Sequence, residues 1–399
     1  TGGDVTAIGN QSAMFNTGSD VNSLGEESAD SNSGDNVNSF GPFAAQNNSK
    51  DDLNALGEKA AQNNTGADVN ALGSESARYN AGRNVTAIGA RAAKYNTGYN
   101  VNAMGEAAAD SNTADNVNAF GRYAAQNNTK SALNALGYQA AQDNKGSHVN
   151  AFGDRAAEEN SKDQLNAMGR YTAQYNKGAN VQAIGFASSR YNEGNYLVAL
   201  GSESGRNNTG DKVNAIGHFA ADFNTGHNSN AFGYTAAQKS TGDYVNAVGC
   251  QSARNNGGSY VNGIGFMAAD TNLGDYVDVI GAEAAENNSG DYVSAIGRYC
   301  VRYNKGFYVT AIGYEAGRDN TKSYVNIIGS YVLDAPQDEA TIITGDLFLR
   351  DPEGSGGAPT GRSIYFNGST TAKVFYDMGE IKVTDDASNT TTISPHNFH

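Results

Sequence analysis

Residues 209–224, TGDKVNAIGHFAADFN, state the pattern on which most of the chain is built. Written in rows of sixteen from Thr1, the sequence holds this register for twenty-one rows, to Pro336, without an insertion or deletion. Periodicity on this scale identifies a repeat architecture and takes precedence over any other reading. With the columns numbered 1 to 16, column 9 is Gly in every row, from Gly9 to Gly329, and column 8 is always a large apolar residue. Column 5 is Val or Leu except at Ser229, and column 16 is Asn except at Ser240 and Pro336. Column 7 is small except at Val279 and Ile327, and columns 12 and 13 are mostly Ala or Ser.

One such unit cannot fold alone. Fixing each residue costs roughly 1–2 kcal/mol of backbone entropy, and a single short unit has too little apolar surface to offset it. Stacked units shelter one another, so the pattern predicts an all-β fold, a parallel β-solenoid or β-roll of about 21 coils. Columns 4 to 8, as in YVNAI, are short and rich in β-branched residues, which suits a strand. Gly at column 9 answers to a conformation or a close approach that a Cβ would block. The freely varying columns 10 and 11 read as an exposed corner, and columns 12 to 14 as a second short strand. A helix is the rival for columns 10 to 15, but six residues are too few to hold one. Columns 16 to 2, commonly Asn-Thr-Gly, read as a turn whose Asn and Gly tolerate positive φ. Lys50, Lys130, Lys162, Lys322 and Ala114 replace that second Gly, so it is preferred there and not obligatory.

Strand parity divides the side chains. Columns 5 and 7 point one way, while columns 4, 6 and 8 point the other. Both sets are patterned, as in a strand buried on both sides. The second face either meets another copy of the chain, with a closed homotrimer the expected form, or a bulge near the Gly turns column 8 inward. Column 6 is Asn in most rows, and at about 4.8 Å between coils these amides can bond one another as a ladder.

Composition narrows the classes of function. A net charge of −15 and a pI near 4.7 disfavour nucleic acid and anionic membranes as partners. No apolar run reaches the length of a membrane span, and no segment reads as a signal peptide. The chain opens at Thr1 without Met, which leaves open a processed protein or a piece of a longer fibre. Cys250 and Cys300 lie three rows apart, roughly 14 Å at the strand spacing, so they are not expected to pair.

The two ends of the repeat differ. Column 4 begins as Asp or Asn (Asp4, Asp20, Asn36, Asp52) and becomes Tyr from row sixteen: Tyr244, Tyr260, Tyr276, Tyr292, Tyr308 and Tyr324. Tyr196 precedes them alone. Six tyrosines on successive coils form an aromatic strip on the order of 25 Å long. Ring faces and hydroxyls suit sugar rings, which makes these six the candidate glycan-binding residues; packing between subunits is the structural alternative. Row fifteen, with Ser229 and Ser240, breaks two columns at once and is a candidate weak point or bend. Residues 1–336 therefore form the shaft, and 337–399 a separate β-rich cap or tip, with ATIITGDLFLRD, RSIYFNG, AKVFYD, GEIKVTDD and TTTISP as strands and 353–361 as a loop. About sixty residues make a marginal core, which docking on the last coil would support while covering its open edge.

Catalysis has little support. The five histidines (His148, His218, His227, His396, His399) occupy unrelated columns, and the glycines do not form a phosphate loop. Asp51 with Asp52, or Asp4 over Asp20, meets the spacing of a glycosidase pair, but repeats make that match easily. No dedicated metal and no cofactor are expected.

The repeats VNAIGHFAADFNTGHN and VTAIGYEAGRDNTKSY resemble the AIG-centred repeats of trimeric autotransporter adhesin heads and of phage and phage-like tail fibres. The resemblance covers residues 1–336 and rests on Ala-Ile-Gly in columns 7 to 9 and on the Asn-Thr-Gly corner. It implies a parallel β-roll, commonly an intertwined homotrimer, that attaches to cell surfaces outside the cell. The period here differs from that usual in the adhesins, no coiled-coil heptads follow, and the tail is more similar to a small β-region near a fibre tip. Three functions follow: the shaft and receptor-binding element of a tail fibre, a bacterial surface adhesin or filament subunit, or a polysaccharide-degrading fibre. A non-enzymatic fibre binding a cell-surface glycan or other receptor is the leading expectation. An ice-binding solenoid ranks below these, since column 6 is Asn and not a flat Thr array.

Overall fold

The computed structural model describes residues 3–344, together with the backbone of 362–365, 373–377, 380–384 and 390–393. Each row contributes one short strand, columns 5 to 8, from β1 (Val5–Ile8) and β2 (Val21–Leu24) to β21 (Val325–Ile328). These pair in parallel with a constant sixteen-residue offset, as in Val5↔Val21 and Ile8↔Leu24, or Val309↔Val325 and Ile312↔Ile328. A further strand, β22 (Thr341–Ile343), pairs with β21 at an offset of fifteen and brings the parallel sheet to 22 strands. The fold is a β-solenoid of about 21 turns. The stacked unit runs to Thr344, past the end of the register at Pro336.

The wall opposite the sheet is not a second strand. Columns 9 to 16 make three consecutive turns instead: in row three Ala44 N donates to Gly41 O (3.2 Å), Gln46 N to Phe43 O (3.4 Å) and Asn48 N to Ala45 O (3.2 Å). The third residue of each turn is left-handed, with φ of 57° at Phe43, 50° at Ala45 and 56° at Asn47, as a type II turn requires. The remaining N–H groups bond alternately down and up the stack: Phe43 N to Glu26 O (2.8 Å), Ala45 N to Ala60 O (2.8 Å), Asn47 N to Asp30 O (2.9 Å). The wall is therefore fully cross-linked between coils without being extended. Left-handed φ costs a residue with a Cβ roughly 1–2 kcal/mol, so Ala and Tyr here do not advertise it. Inter-coil hydrogen bonds and burial of columns 12 and 13 offset that cost.

The expected positive φ at columns 16 to 2 is also corrected. Among the described residues no Asn of column 16 and no Gly of column 2 is left-handed; columns 4, 11, 13 and 15 are, together with the Gly of column 9. Gly57 in column 9 has φ +135°, and a Cβ there would lie 2.6 Å from Gly73 O, so both conformation and space demand Gly. Column 2 favours it for space alone: a Cβ on Gly66 would meet Gly82 O at 1.8 Å and Asn80 Nδ2 at 2.7 Å, while the four Lys and the Ala of this column show that other rows accommodate a side chain.

The core is one side chain thick. Val or Leu of column 5, the small residue of column 7 and Ala or Ser of columns 12 and 13 are almost wholly buried along the stack. Volumes compensate locally. A Cβ on Gly205 would meet Leu197 Cδ2 at 3.1 Å, and one on Gly317 would meet Ile327 Cδ1 at 3.1 Å, so the larger neighbour fills the space.

The last turn is covered by the chain that follows it. Val332, Ala340 and Ile342 pack on the core, Ala335 N donates to Asn320 Oδ1 (3.3 Å), and Asp338 Oδ1 accepts from Ser323 N (2.8 Å). Separately, Arg362–Tyr365, Lys373–Asp377, Glu380–Thr384 and Thr390–Ile393 form a four-stranded antiparallel sheet on four of the expected tail segments. The expected strand over LFLRD, the loop at 353–361, and His396 and His399 lie outside the described residues.

Candidate functional surfaces

The outer face of the sheet is built from columns 6 and 8. Column 8 points out to solvent and is not turned inward by a bulge: Leu24, Leu56, Ile184, Ile280 and Ile328 are each about half exposed. Beside it the column 6 amides form the expected ladder. Asn22 Nδ2 donates to Asn38 Oδ1 (3.0 Å), Asn38 to Asn54 (2.9 Å) and Asn54 to Asn70 (2.8 Å), with further runs from Asn102 to Asn166 and from Asn214 to Asn262. Across columns 5 to 8 of all twenty-one rows the one ionisable residue is Asp278, although the chain carries −15. Two shallow depressions lie between the two columns, one lined by Asn38, Phe40, Asn54 and Leu56 near one end and one by Ile280, Ser294, Ile296 and Thr310 near the other.

Column 4 runs along the edge of this face. In the early rows it is a polar ladder: Asn36 Nδ2 donates to Asp52 Oδ1 (3.1 Å) and Asn84 Nδ2 to Asn100 Oδ1 (2.9 Å). From Tyr244 the structure brings all six candidate tyrosines into one continuous strip. Successive ring centroids are 4.6–4.9 Å apart and the planes lie within 10° of parallel. Tyr260, Tyr276, Tyr292 and Tyr308 thus have a ring against each face, which leaves edges and hydroxyls to solvent. The neighbouring Tyr308 pushes the Tyr292 hydroxyl above its ordinary value, since adjacent phenolates repel. Tyr196 stands apart, between Asn180 and Lys212 in its column.

Compared with known proteins, the chain matches no family model, and no curated protein or solved structure is significantly similar to it.

Two further ladders were not read from the sequence. The Asn of column 16 is buried, and its amide bonds the preceding coil: Asn64 Nδ2 donates to Asn48 Oδ1 and to Gly66 O (2.8 and 2.6 Å), Asn80 to Asn64 and to Gly82 O (2.9 and 2.8 Å). Near-invariance of Asn in that column was the available signal, and turn chemistry absorbed it. In column 3, side-chain oxygens accept the N–H one coil below, as Asp35 Oδ1 does from Ser19 N (2.7 Å) and Asp51 Oδ1 from Asp35 N (2.8 Å). Asp51 and Asp52, weighed above as a glycosidase pair, each serve such a ladder.

Row fifteen interrupts the buried amides. Ser240 replaces Asn, Asn224 Oδ1 is buried without a partner, and β15 (Asn230–Phe232) and β16 (Asn246–Val248) lose their first residue. Ser229 is fully buried where Val stands in most rows.

Ionisable groups concentrate in columns 10 to 15. Arg206 forks onto Asp222 (Nε to Oδ1 3.0 Å, Nη2 to Oδ2 2.9 Å) and Arg254 onto Asp270 (3.2 and 2.6 Å). Burial pushes the Asp110, Glu158 and Glu286 carboxyls above their ordinary values. Cys250 is exposed, Cys300 is buried and neither is in a disulfide, as their separation requires. Among the described residues no three His, Cys, Asp or Glu side chains gather as a metal-ligating group, and no helix is long and apolar enough to cross a membrane.

Proposed function

We propose that the chain is a non-enzymatic structural fibre, the shaft and receptor-binding element of a phage or phage-like tail fibre, working outside the cell as a homotrimer. The outer sheet face carries this reading. At about 4.8 Å per turn the column 8 ridge is roughly 96 Å long, and columns 6 to 8 with their side chains span roughly 10 Å. That is on the order of 1,000 Å² per copy, above the ~800 Å² per partner of a stable interface. The apolar ridge of column 8, contiguous along the face and flanked by the column 6 amides, marks an interaction site.

The occupant that fits is another copy. Chains of charge −15 repel, and this face is nearly free of charge, as interface centres are. A copy also presents the same ridge at the same spacing, and a closed rotation buries it without leaving an open end. Association through columns 6 to 8 leaves the edge hydroxyls of the tyrosine strip free for a surface glycan or other receptor.

Sedimentation velocity tests the assembly. The parent chain should sediment as a trimer, and the triple variant Ile264→Glu, Ile280→Glu, Ile296→Glu as a monomer with unchanged far-UV circular dichroism. A monomeric parent chain would end this reading. Attachment is tested with fluorescently labelled chain on bacterial cells, where Tyr276→Ala with Tyr292→Ala should reduce retention. A release of reducing ends from host polysaccharide would favour the degrading fibre instead.

A further inference from the structure

The corner formed by columns 10 and 11 carries a side-chain constellation that recurs with its own period. Tyr123, beside Arg122, meets Tyr138 of the next coil; Tyr171, beside Arg170, meets Phe186; His218, beside Phe219, meets Tyr234. The three lie forty-eight residues apart, three turns each, or roughly 14 Å along the stack. A fourth, Arg298 with Tyr299 and Tyr314, follows five turns later.

The geometry is nearly the same in the three arginine clusters. Tyr123 and Tyr138 meet edge to face at 6.1 Å and 71°, Tyr171 and Phe186 at 5.9 Å and 79°, Tyr299 and Tyr314 at 5.7 Å and 79°. In each of these the guanidinium lies 4.5–4.8 Å from the inner tyrosine ring and bonds its hydroxyl (3.1, 2.9 and 2.6 Å). In the His218 version the imidazole stands edge-on to Phe219 at 4.0 Å and parallel to Tyr234 at 5.5 Å.

This corner differs from the tyrosine strip in the feature that stacking needs. In the strip, inner rings cover both faces of one another. An edge-to-face pair, as at Tyr138 and Phe186, covers one ring face of four, Tyr234 has one face against His218, and all three remain 40–50% exposed. Each cluster therefore offers an open aromatic face beside a guanidinium or, at His218, an imidazole, with Asp154 accepting from Arg170 Nε at 3.3 Å and Glu106 from Arg122 Nε at 3.0 Å. Open ring faces flanked by donors and carboxylate acceptors suit the apolar face and the hydroxyls of a pyranose.

We infer that the corner clusters are repeated contact points for one extended polysaccharide lying along the shaft, with Tyr138, Phe186 and Tyr234 as the stacking platforms. The inference rests on the attachment reading and adds to the tyrosine strip a second surface that contacts glycan. Evenly spaced weak sites gain by acting together, because each bound sugar holds the next near its platform.

Affinity electrophoresis in native gels containing dextran, polygalacturonate or purified bacterial lipopolysaccharide tests it, using the full chain. The parent should be retarded in at least one gel. Tyr138→Ala should weaken retardation about three- to tenfold, and Tyr138→Ala with Phe186→Ala and Tyr234→Ala should abolish it. Tyr99→Ala, at an exposed tyrosine outside both the strip and the corner, should run as the parent does, and Tyr276→Ala with Tyr292→Ala is run beside it. All three platforms are exposed corner residues, and far-UV circular dichroism confirms that the triple variant is folded. Retardation of the triple variant equal to the parent's, or no retardation in any gel, overturns the inference. Retardation lost only in the Tyr276, Tyr292 variant overturns it while leaving attachment intact. Failure of the labelled parent to bind cells removes the attachment reading itself.

Discussion

Ser240→Asn should repair the one gap in the buried amide ladder between Asn16 and Asn320. In the parent chain Asn224 Oδ1 is buried without a partner, and Asn256 Nδ2, which donates to Gly258 O at 2.6 Å, meets Ser240 Oγ of the preceding coil only at 3.5 Å. An Asn at 240 would donate to Asn224 Oδ1 and to Gly242 O and accept from Asn256 Nδ2, as its counterparts do at 2.6–3.0 Å. The space exists: a Cβ on Gly226 would meet only backbone of the next coil, where most column 2 glycines would also meet the next Asn amide. An unsatisfied buried acceptor costs about 1–3 kcal/mol, while ordering the longer side chain costs about 1 kcal/mol. A net gain of up to about 2 kcal/mol follows. Long repeat arrays do not unfold in one step, so the gain is local and a global melting curve dilutes it. Native-state hydrogen exchange over residues 220–260 reads it directly. Protection at Thr225, whose N–H bonds Ser240 O at 2.9 Å, should rise about tenfold, the equivalent of ~1.4 kcal/mol. Unchanged or faster exchange there would refute the idea that the ladder stabilises the stack. Asn128→Ser, in an intact stretch, should produce the opposite change.

Ser229→Val restores the column 5 pattern at a fully buried site and should add about 1–2 kcal/mol, again visible as slower exchange in rows fourteen to sixteen. Glu158→Gln should raise the melting midpoint at neutral pH, because the new Nε2 can donate to the buried, unpartnered Gln142 Oε1. Burial raises the parent carboxyl above 4.5, so the folded chain keeps a proton that the unfolded chain loses, and this group's contribution falls as pH rises through the raised value. The advantage of the variant should therefore shrink as pH is lowered towards 4.5, and a pH-independent difference would contradict the assignment. In a thiol assay of the native chain Cys250 should react and Cys300 should not, since burial pushes its thiol up to about 12; two fast thiols would show that the core opens. Gly121→Ala should prevent correct stacking around rows seven to nine, because its Cβ would lie 2.4 Å from Gly137 O; a normal exchange profile there would count against the close approach.

Much of the architecture was legible because the period is unbroken. A sixteen-residue register with Val at column 5, a small residue at column 7 and Gly at column 9 admits one arrangement, strand over strand, and column 6 declared its amide ladder. The tyrosine strip was equally readable, as was the separation of Cys250 from Cys300. The opposite wall was not. Ala45 and Phe43 are left-handed residues that no propensity marks, and only bonds to Ala60 and Glu26 in the coils above and below select that conformation over a strand. The same holds for Asn48 and Asn64, whose type suited a turn while their neighbours made them a buried ladder. Which faces of the tyrosine rings are open, and that Tyr138 meets Tyr123 edge to face, depends on distances between coils. Sequence by itself determined what repeats and what points inward; contacts sixteen residues apart decided the hand of the backbone and the use of each polar group, because those energies exist only once the coils are stacked.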